Sequence, residues 1–161
     1  MTLQDANLGL TVIVAGLLLG ATLTDLKARV IPNQIPVAIV ALAPLFWIAN
    51  GTAFWPGSAL MIGQSLACLV VFGAFFSRGL MGGGDVKLIA ALALWFPGIA
   101  LLNFLVLMSV LGGLLTLAQL LIAKLRKSED PIEVPYGVAI AAAALWALFD
   151  TQHLVERYFN G

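Results

Sequence analysis

The sequence predicts an all-α, polytopic membrane protein, because its composition is apolar and its charges are sparse and unevenly placed. Of 161 residues, 61% are apolar and 10% are charged, whereas a soluble domain carries about a quarter charged residues. Most of the charge-free sequence lies in four intervals, at 6–24, 34–77, 88–123 and 134–149. Eight basic residues balance eight acidic ones, so no excess positive charge is available for nucleic-acid phosphates. The composition therefore excludes a soluble globule, a disordered chain and a nucleic-acid-binding protein.

The four intervals divide into helical segments of membrane-spanning size. A helix needs about 20 apolar residues to cross the hydrocarbon core, so interval 34–77 accommodates two helices, and the turn residues at 97–98 divide the next interval. The fourth segment is short, and we expect it to start in a water-filled recess or to form half of a re-entrant pair. We treat residues 1–161 as one membrane domain with about six transmembrane helices. The predicted segments are 8–24, 35–50, 57–77, 86–96, 98–123 and 135–150.

The basic residues predict the orientation. All but one of the eight Lys and Arg residues fall in the connections after the first, third and fifth segments. The positive-inside rule places these connections in the cytoplasm and both termini outside. The first residues lack a basic leader, so we expect the first apolar run to be retained rather than cleaved. Trp47, Trp55 and Trp95 lie near outer segment ends, where indole rings favour the membrane interface.

Two of the eight acidic residues stand out from the rest. Most acids lie at outer ends or in the connection 129–133, which we expect to be solvated, but Asp25 closes the first segment and Asp85 opens the fourth. The predicted orientation puts both at the same face. Two carboxyl groups that meet in a desolvated place do not both ionise readily, so one can act as base and the other as acid. Such a pair can hydrolyse a peptide with water, without a metal or cofactor.

Three glycines precede Asp85, at positions 82–84. Glycine has no Cβ and permits close approach of another backbone, so these residues fit a site for a substrate strand, and they also fit an ordinary flexible loop. Because Asp follows the glycines instead of Lys-Ser or Lys-Thr, the phosphate-loop pattern is absent. The single Cys and single His also exclude a disulfide framework or a Cys/His metal site built from this chain alone.

Other roles for these acids remain open from the residues alone. Either Asp fits a helix cap, and Asp25 also fits an ion pair with Lys27 or Arg29. Acids within membrane segments also serve as proton relays, so a small proton-coupled transporter is the alternative function. A structural subunit of a secretion or pilus machine would need neither carboxylate.

The residues around the two acids resemble those of the type IV prepilin peptidases, which are intramembrane aspartic proteases. Asp25 stands six residues before an Ile-Pro-Asn turn at 31–33, and Gly-Gly-Gly-Asp ending at Asp85 matches the Gly-x-Gly-Asp motif of that family. Pro-Tyr-Gly at 135–137 resembles the opening of the family's last helix. The resemblance extends over nearly the whole sequence, from Ala6 to about Phe149.

The resemblance implies a catalytic pair, Asp25 and Asp85, with no metal and no cofactor. It implies an enzyme of the bacterial inner membrane that cleaves the leader of prepilins or pseudopilins at the cytoplasmic face. Membrane lipid and the pilus-assembly machinery are the other expected partners. The implied substrate-binding residues are Gly82, Gly83, Gly84, Lys87, Pro32, Asn33, Pro135, Tyr136 and Gly137.

The resemblance also indicates a branch of the family. The larger bifunctional members carry an insert with paired cysteines and methylate the new N-terminus, whereas this sequence has one Cys. It therefore resembles the short, peptidase-only branch that serves tight-adherence Flp pili. Methyl transfer from S-adenosylmethionine is not expected.

Overall fold

The computed structural model describes residues 3–126 and 134–159, with side chains described at 5–126 and 134–150. These residues form six α-helices, and none of them forms a strand, so the predicted all-α fold class is confirmed. A short turn at Phe54–Ser58, with extended backbone at Trp55, leads into the third helix. The connection 129–133, predicted to be solvated, lies outside the described residues. The helices are α1 Leu3–Ala28, α2 Gln34–Ala49, α3 Ala59–Ser77, α4 Gly83–Leu92, α5 Ile99–Arg126 and α6 Tyr136–Phe159.

Within the part of the chain that the structure describes, three stretches are long and apolar enough to cross a membrane, namely Asp5–Ala28, Phe54–Ser77 and Ile99–Arg126. Two shorter apolar helices are Gln34–Ala49 and Tyr136–Asp150. Large apolar side chains remain exposed along these helices, as expected for surfaces that face lipid. α4 has ten residues and reaches about 15 Å, so it is as short as the sequence predicts. The helices are consistent with a polytopic membrane protein, and the compartment of each terminus stays a prediction.

Four of the helices form a closed ring that positions the two acids. α1 packs against α2 and α6, and α4 packs against the same two helices. α3 packs on α4, and α5 packs on α6, so these two lie outside the ring. The ring therefore sets the end of α1 opposite the start of α4. Fully buried side chains from its helices include Leu18, Ile39, Leu88, Leu92 and Ile140.

Trp95 lies in the interior, so its predicted place at the membrane interface is wrong. Its side chain is fully buried, its Nε1–H donates to the carbonyl of Ile39 at 3.1 Å, and its ring lies 4.4 Å from that of Phe46. Trp47 is half-buried, whereas Trp55 is exposed. The reason for the error is that α4 ends inside the protein, so the chain that follows it packs against α2 instead of lipid.

Replacing the buried indole of Trp95 is expected to destabilise the fold. Trp95→Ala should lower the free energy of unfolding by about 3–5 kcal/mol, the usual cost of truncating a buried aromatic side chain. Trp146, which is 68% exposed, supplies the matched control, and Trp146→Ala should change stability by less than about 1 kcal/mol. Unfolding in mixed micelles with increasing denaturing detergent measures both values. Equal losses in the two variants would contradict the interior placement of Trp95.

Candidate active site

Asp25 lies near the end of α1, and its carboxylate is held by the start of a different helix. Its side chain is only 6% exposed, and Oδ2 accepts a hydrogen bond from the N–H of Gly137 at 2.9 Å. Val138 adds a second backbone interaction, while Arg29 contributes its charge at longer range. Both amides belong to the first turn of α6, where N–H groups lack helical partners and the helix dipole is positive. Asp25 is therefore a capping side chain supplied to α6 from α1.

Asp85 lies in the first turn of α4 and is 9% exposed. Gly82 is the N-cap residue, with extended backbone, and its N–H donates to the Asp85 carboxyl group. A side chain that reaches back to the N-cap amide is one half of a capping box, so the capping role considered for Asp85 is also present. The capping role alone does not explain why Asp85 is buried. A helix cap can form at an exposed position, whereas burial of a carboxylate costs free energy.

The two acids come together across the ring. The charge of Asp25 acts on the Asp85 carboxyl group through space, although the two residues belong to α1 and α4. Two buried carboxyl groups at this proximity favour sharing one proton, since both negative charges together are unfavourable. The arrangement can supply a general base and a general acid to one water molecule. Within the described ranges, no group of three or more His, Cys, Asp and Glu residues is present that could hold a metal ion.

Gly83 and Gly84 allow the start of α4 to pack closely against its neighbours. A Cβ on Gly84 would lie 3.0 Å from the Cβ of Ile31, and one on Gly83 would lie 3.2 Å from the ring of Phe76. The turn after α1 and the end of α3 therefore occupy the space that these glycines leave. Ile31 and Phe76 are neighbours that sequence reasoning did not connect with the glycines, because only the fold brings them there. Substrate binding at Gly83 and Gly84 stays a prediction.

Gly82 and Gly137 stand directly beside the two carboxylates. A Cβ on Gly82 would lie 3.0 Å from Oδ2 of Asp85, and one on Gly137 would lie 2.8 Å from Oδ2 of Asp25. Gly82 is exposed, while Gly137 is buried. Each acid thus has a glycine at the point where any larger residue would press on its Oδ2 atom.

Tyr136 packs the start of α6 onto α5. A Cβ on Gly112 would lie 2.9 Å from the Tyr136 ring, and the Tyr136 hydroxyl lies 3.2 Å from Oγ1 of Thr116. Pro135, just before the helix, is buried. Sequence reasoning did not identify Gly112 and Thr116, although their spacing of four residues puts them on one helix face. These contacts fix the first turn of α6, whose amides hold Asp25.

Lys87 and Asn33 connect the starts of α4 and α2. Nζ of Lys87 donates to Oδ1 of Asn33 at 2.9 Å, and both side chains are exposed. Asn33 is the N-cap residue of α2 but makes no side-chain cap bond there. The carbonyl of Pro32 accepts the N–H of Ile35 at 3.1 Å, which closes the turn. These predicted substrate-binding residues lie at the same end of the fold as the acids.

Comparison with known proteins identifies the family. A family model described as the type IV leader peptidase family matches residues 12–117. The chain belongs to the type IV leader peptidase family. The matched range contains both acids and the three glycines, and α6 lies beyond it.

Several curated relatives of this family are similar to most of the chain. Each is named prepilin leader peptidase/N-methyltransferase. The relative from Aeromonas salmonicida (strain A449) is 28% identical, with 89% of this chain and 50% of the relative covered. The one from Bacillus subtilis (strain 168) is 27% identical, with coverages of 92% and 58%, and that from Neisseria gonorrhoeae is 29% identical, with 92% and 50%. The chain thus spans about half the length of these relatives. No solved structure matches it.

Gly84 offers a test of the packing that sets this leader peptidase family site. Gly84→Ala should lower the free energy of unfolding by about 1–3 kcal/mol, because its Cβ would overlap the rigid β-branched carbon of Ile31. Gly73→Ala in α3 is the control, since a Cβ there meets nothing within 4 Å and removes a flexible helical glycine. Detergent-induced unfolding should show Gly73→Ala unchanged or slightly stabilised. An undiminished stability of Gly84→Ala would refute the close approach.

Proposed function

We propose that this chain is an aspartic endopeptidase that removes the leader peptide of type IV prepilins or pseudopilins. The observation that carries the proposal is the pair of buried carboxyl groups, Asp25 and Asp85, which interact across a membrane fold. Membership of the leader peptidase family supports peptide hydrolysis as the chemistry. The names of the relatives support prepilins as the substrate class.

The chemistry uses one water molecule and both acids. The ionised carboxylate takes a proton from the water molecule, and the oxygen of that water attacks the carbonyl carbon of the scissile peptide. The protonated carboxyl group donates its proton to the carbonyl oxygen, which gives a neutral tetrahedral intermediate. When the C–N bond breaks, the acid that took the proton from water donates it to the leaving nitrogen, and the other acid, now ionised, takes a proton from a hydroxyl group of the intermediate. A carboxyl terminus forms on the leader, and the pair again holds one proton. No covalent enzyme intermediate is needed.

The proposed site of action is the cytoplasmic face of the bacterial inner membrane. Lys27 and Arg29 follow Asp25 at the end of α1, Arg78 follows α3, and Lys87 follows Asp85. By the positive-inside rule, this end of the bundle faces the cytoplasm. A pilin leader would therefore reach the acids before its apolar helix leaves the membrane, and the pilus-assembly machinery would receive the processed product.

We also propose that the chain cleaves without methylating, as a peptidase that serves Flp-type pili. The support is the sequence, which has one cysteine, whereas the bifunctional members carry paired cysteines. The range of this chain that the family model matches contains both proposed catalytic acids, so hydrolysis is the activity that these residues can supply.

The central prediction concerns the acids themselves. Asp25→Asn and Asp85→Asn should each reduce leader removal by at least about a thousandfold, because each removes one of two groups that act as a unit. Asp150→Asn is the matched control, since Asp150 is exposed on α6, and it should process substrate normally. Co-expression with a candidate Flp-type prepilin, followed by mass measurement of the mature N-terminus, reports both cleavage and methylation.

The outcomes of this experiment separate the hypotheses. Wild-type processing by both Asn variants would overturn the catalytic pair, and an added methyl mass would overturn the peptidase-only proposal. Proton flux in liposomes that depends on both acids, with no cleavage by the wild-type protein, would favour the transporter. All variants must reach the membrane in equal amounts.

Gly137 gives a second test through the geometry of Asp25. Gly137→Ala would place a Cβ 2.8 Å from Oδ2 of Asp25, so the carboxylate must move. Displacement by a fraction of an ångström should lower kcat by about 10–100-fold. Gly113→Ala on α5 is the control, because its Cβ meets nothing within 4 Å. Normal turnover by Gly137→Ala would show that this contact does not set the reactive position.

A further inference from the structure

The chain after α4 runs through the protein interior without a helix to satisfy its backbone. α4 ends at Leu92, and all residues from Leu88 to Phe96 are buried. The last carbonyl groups of a helix lack helical partners, and hydrocarbon offers no water to replace them. Backbone N–H groups of residues 93–95 reach the carbonyls of Ile89, Ala91 and Leu92. The carbonyls of Ala90, Ala93, Leu94 and Phe96 need other donors.

Side chains from α2 and α3 supply those donors. Oγ of Ser65 donates to the carbonyl of Ala90 at 2.7 Å, and Nε1 of Trp47 donates to that of Leu94 at 2.8 Å. Nε2 of Gln64 donates to the carbonyl of Phe96 at 3.1 Å. It also lies 3.5 Å from the carbonyl of Ala93.

Gln64 is engaged at both ends of its amide. While Nε2 donates to the carbonyls, Oε1 accepts the N–H of Gly98 at 3.0 Å. One side chain thus closes both sides of the break between α4 and α5. Gln64 also lies in a stretch that is otherwise apolar enough to span a membrane, where a polar side chain costs free energy unless it is bonded.

The other end of α4 carries Asp85. Backbone hydrogen bonds connect successive turns of this ten-residue helix, so we expect a displacement along its axis at Leu92 to shift Asp85 as well. The ring places Asp25 on a separate helix, α1. Anchoring the far end of α4 therefore sets the depth at which one carboxyl group meets the other.

We propose that Gln64 is a positioning residue. Its hydrogen bonds to the chain that follows α4 hold the C-terminal end of this helix and thereby set the alignment of Asp85 with Asp25. The proposal rests on the proposed peptidase function for its kinetic test, but its geometric content is independent of that function. The competing explanation is that apolar packing alone holds α4, since its residues are almost entirely buried. Under that explanation an apolar residue of similar size should replace Gln64 without effect.

The kinetic experiment compares Gln64→Leu and Gln64→Glu with a matched control, Gln119→Leu on α5. Leu keeps the volume but loses both hydrogen-bonding functions, and Glu keeps an acceptor for Gly98 but loses the donor. Both variants should lower kcat for leader cleavage by about tenfold or more with KM within about twofold, because misalignment affects the chemical step more than binding. The control Gln119→Leu should retain wild-type kcat. Wild-type kcat in Gln64→Leu would overturn the proposal.

A crosslinking experiment tests the alignment without using activity. Asp25→Cys and Asp85→Cys are combined in a Cys68→Ala background, and an added copper–phenanthroline oxidant forms the disulfide between them. Gln64→Leu should slow this crosslinking several-fold, and Gln119→Leu should not. Unchanged crosslinking in Gln64→Leu would refute the proposal, even if the variant cleaved poorly.

The two readouts also separate this proposal from the proposed function. If the wild-type protein cleaves no prepilin while Gln64→Leu still slows crosslinking, the function fails and the positioning role stands. If the wild-type protein cleaves, and Gln64→Leu changes neither kcat nor the rate of crosslinking, the positioning role fails and the proposed function stands. Circular dichroism and elution as a single species from size exclusion verify that every variant compared is folded.

Discussion

Asp25 belongs to a long apolar helix, yet its carboxylate is buried against the first amides of α6, with Gly137 at 2.9 Å. Asp85 is buried in the first turn of α4 and accepts from Gly82. In both places, helix N-terminal N–H groups replace the water that a carboxylate would lose on burial. One ionised and one protonated carboxyl group can therefore lie near each other inside the protein. The ring of α1, α2, α4 and α6 brings each of the two carboxyl groups to its N–H partners.

Close packing around the two acids depends on glycines, which have no side chain. Gly83 and Gly84 admit Phe76 and Ile31, while Gly137 leaves room for Oδ2 of Asp25. A Cβ at any of these positions would come within about 3 Å of a neighbour, a distance at which repulsion outweighs the small dispersion gain. The glycines are thus explained by contacts within the chain. Substrate binding beside Gly82, Gly83 and Gly84 stays a prediction.

The parts of the site that could be predicted are those that show as a local feature of the sequence. A charged residue at the edge of an apolar segment is costly, so Asp25 and Asp85 stood out from acids in polar connections, and motif spacing linked them. No local feature of the sequence indicates the contacts of Tyr136 with Thr116, or those of Gln64 with Phe96 and Gly98. They join residues that are distant in the sequence. The partners of Gln64 are a carbonyl and an N–H group that lie between the end of α4 and the start of α5.

The sequence alone determined the number of helices, their approximate limits and the shortness of α4, because membrane burial requires long charge-free segments. It also identified Asp25 and Asp85 as the two acids at the edges of apolar segments. Only the tertiary structure decided which helix start receives Asp25, why Trp95 is interior, and which side chains satisfy the broken end of α4. Apolar periodicity cannot specify these choices, since helices that are apolar on all sides have no preferred face. Pairing is set by glycine contacts and by the hydrogen bonds that buried polar groups must find in one another.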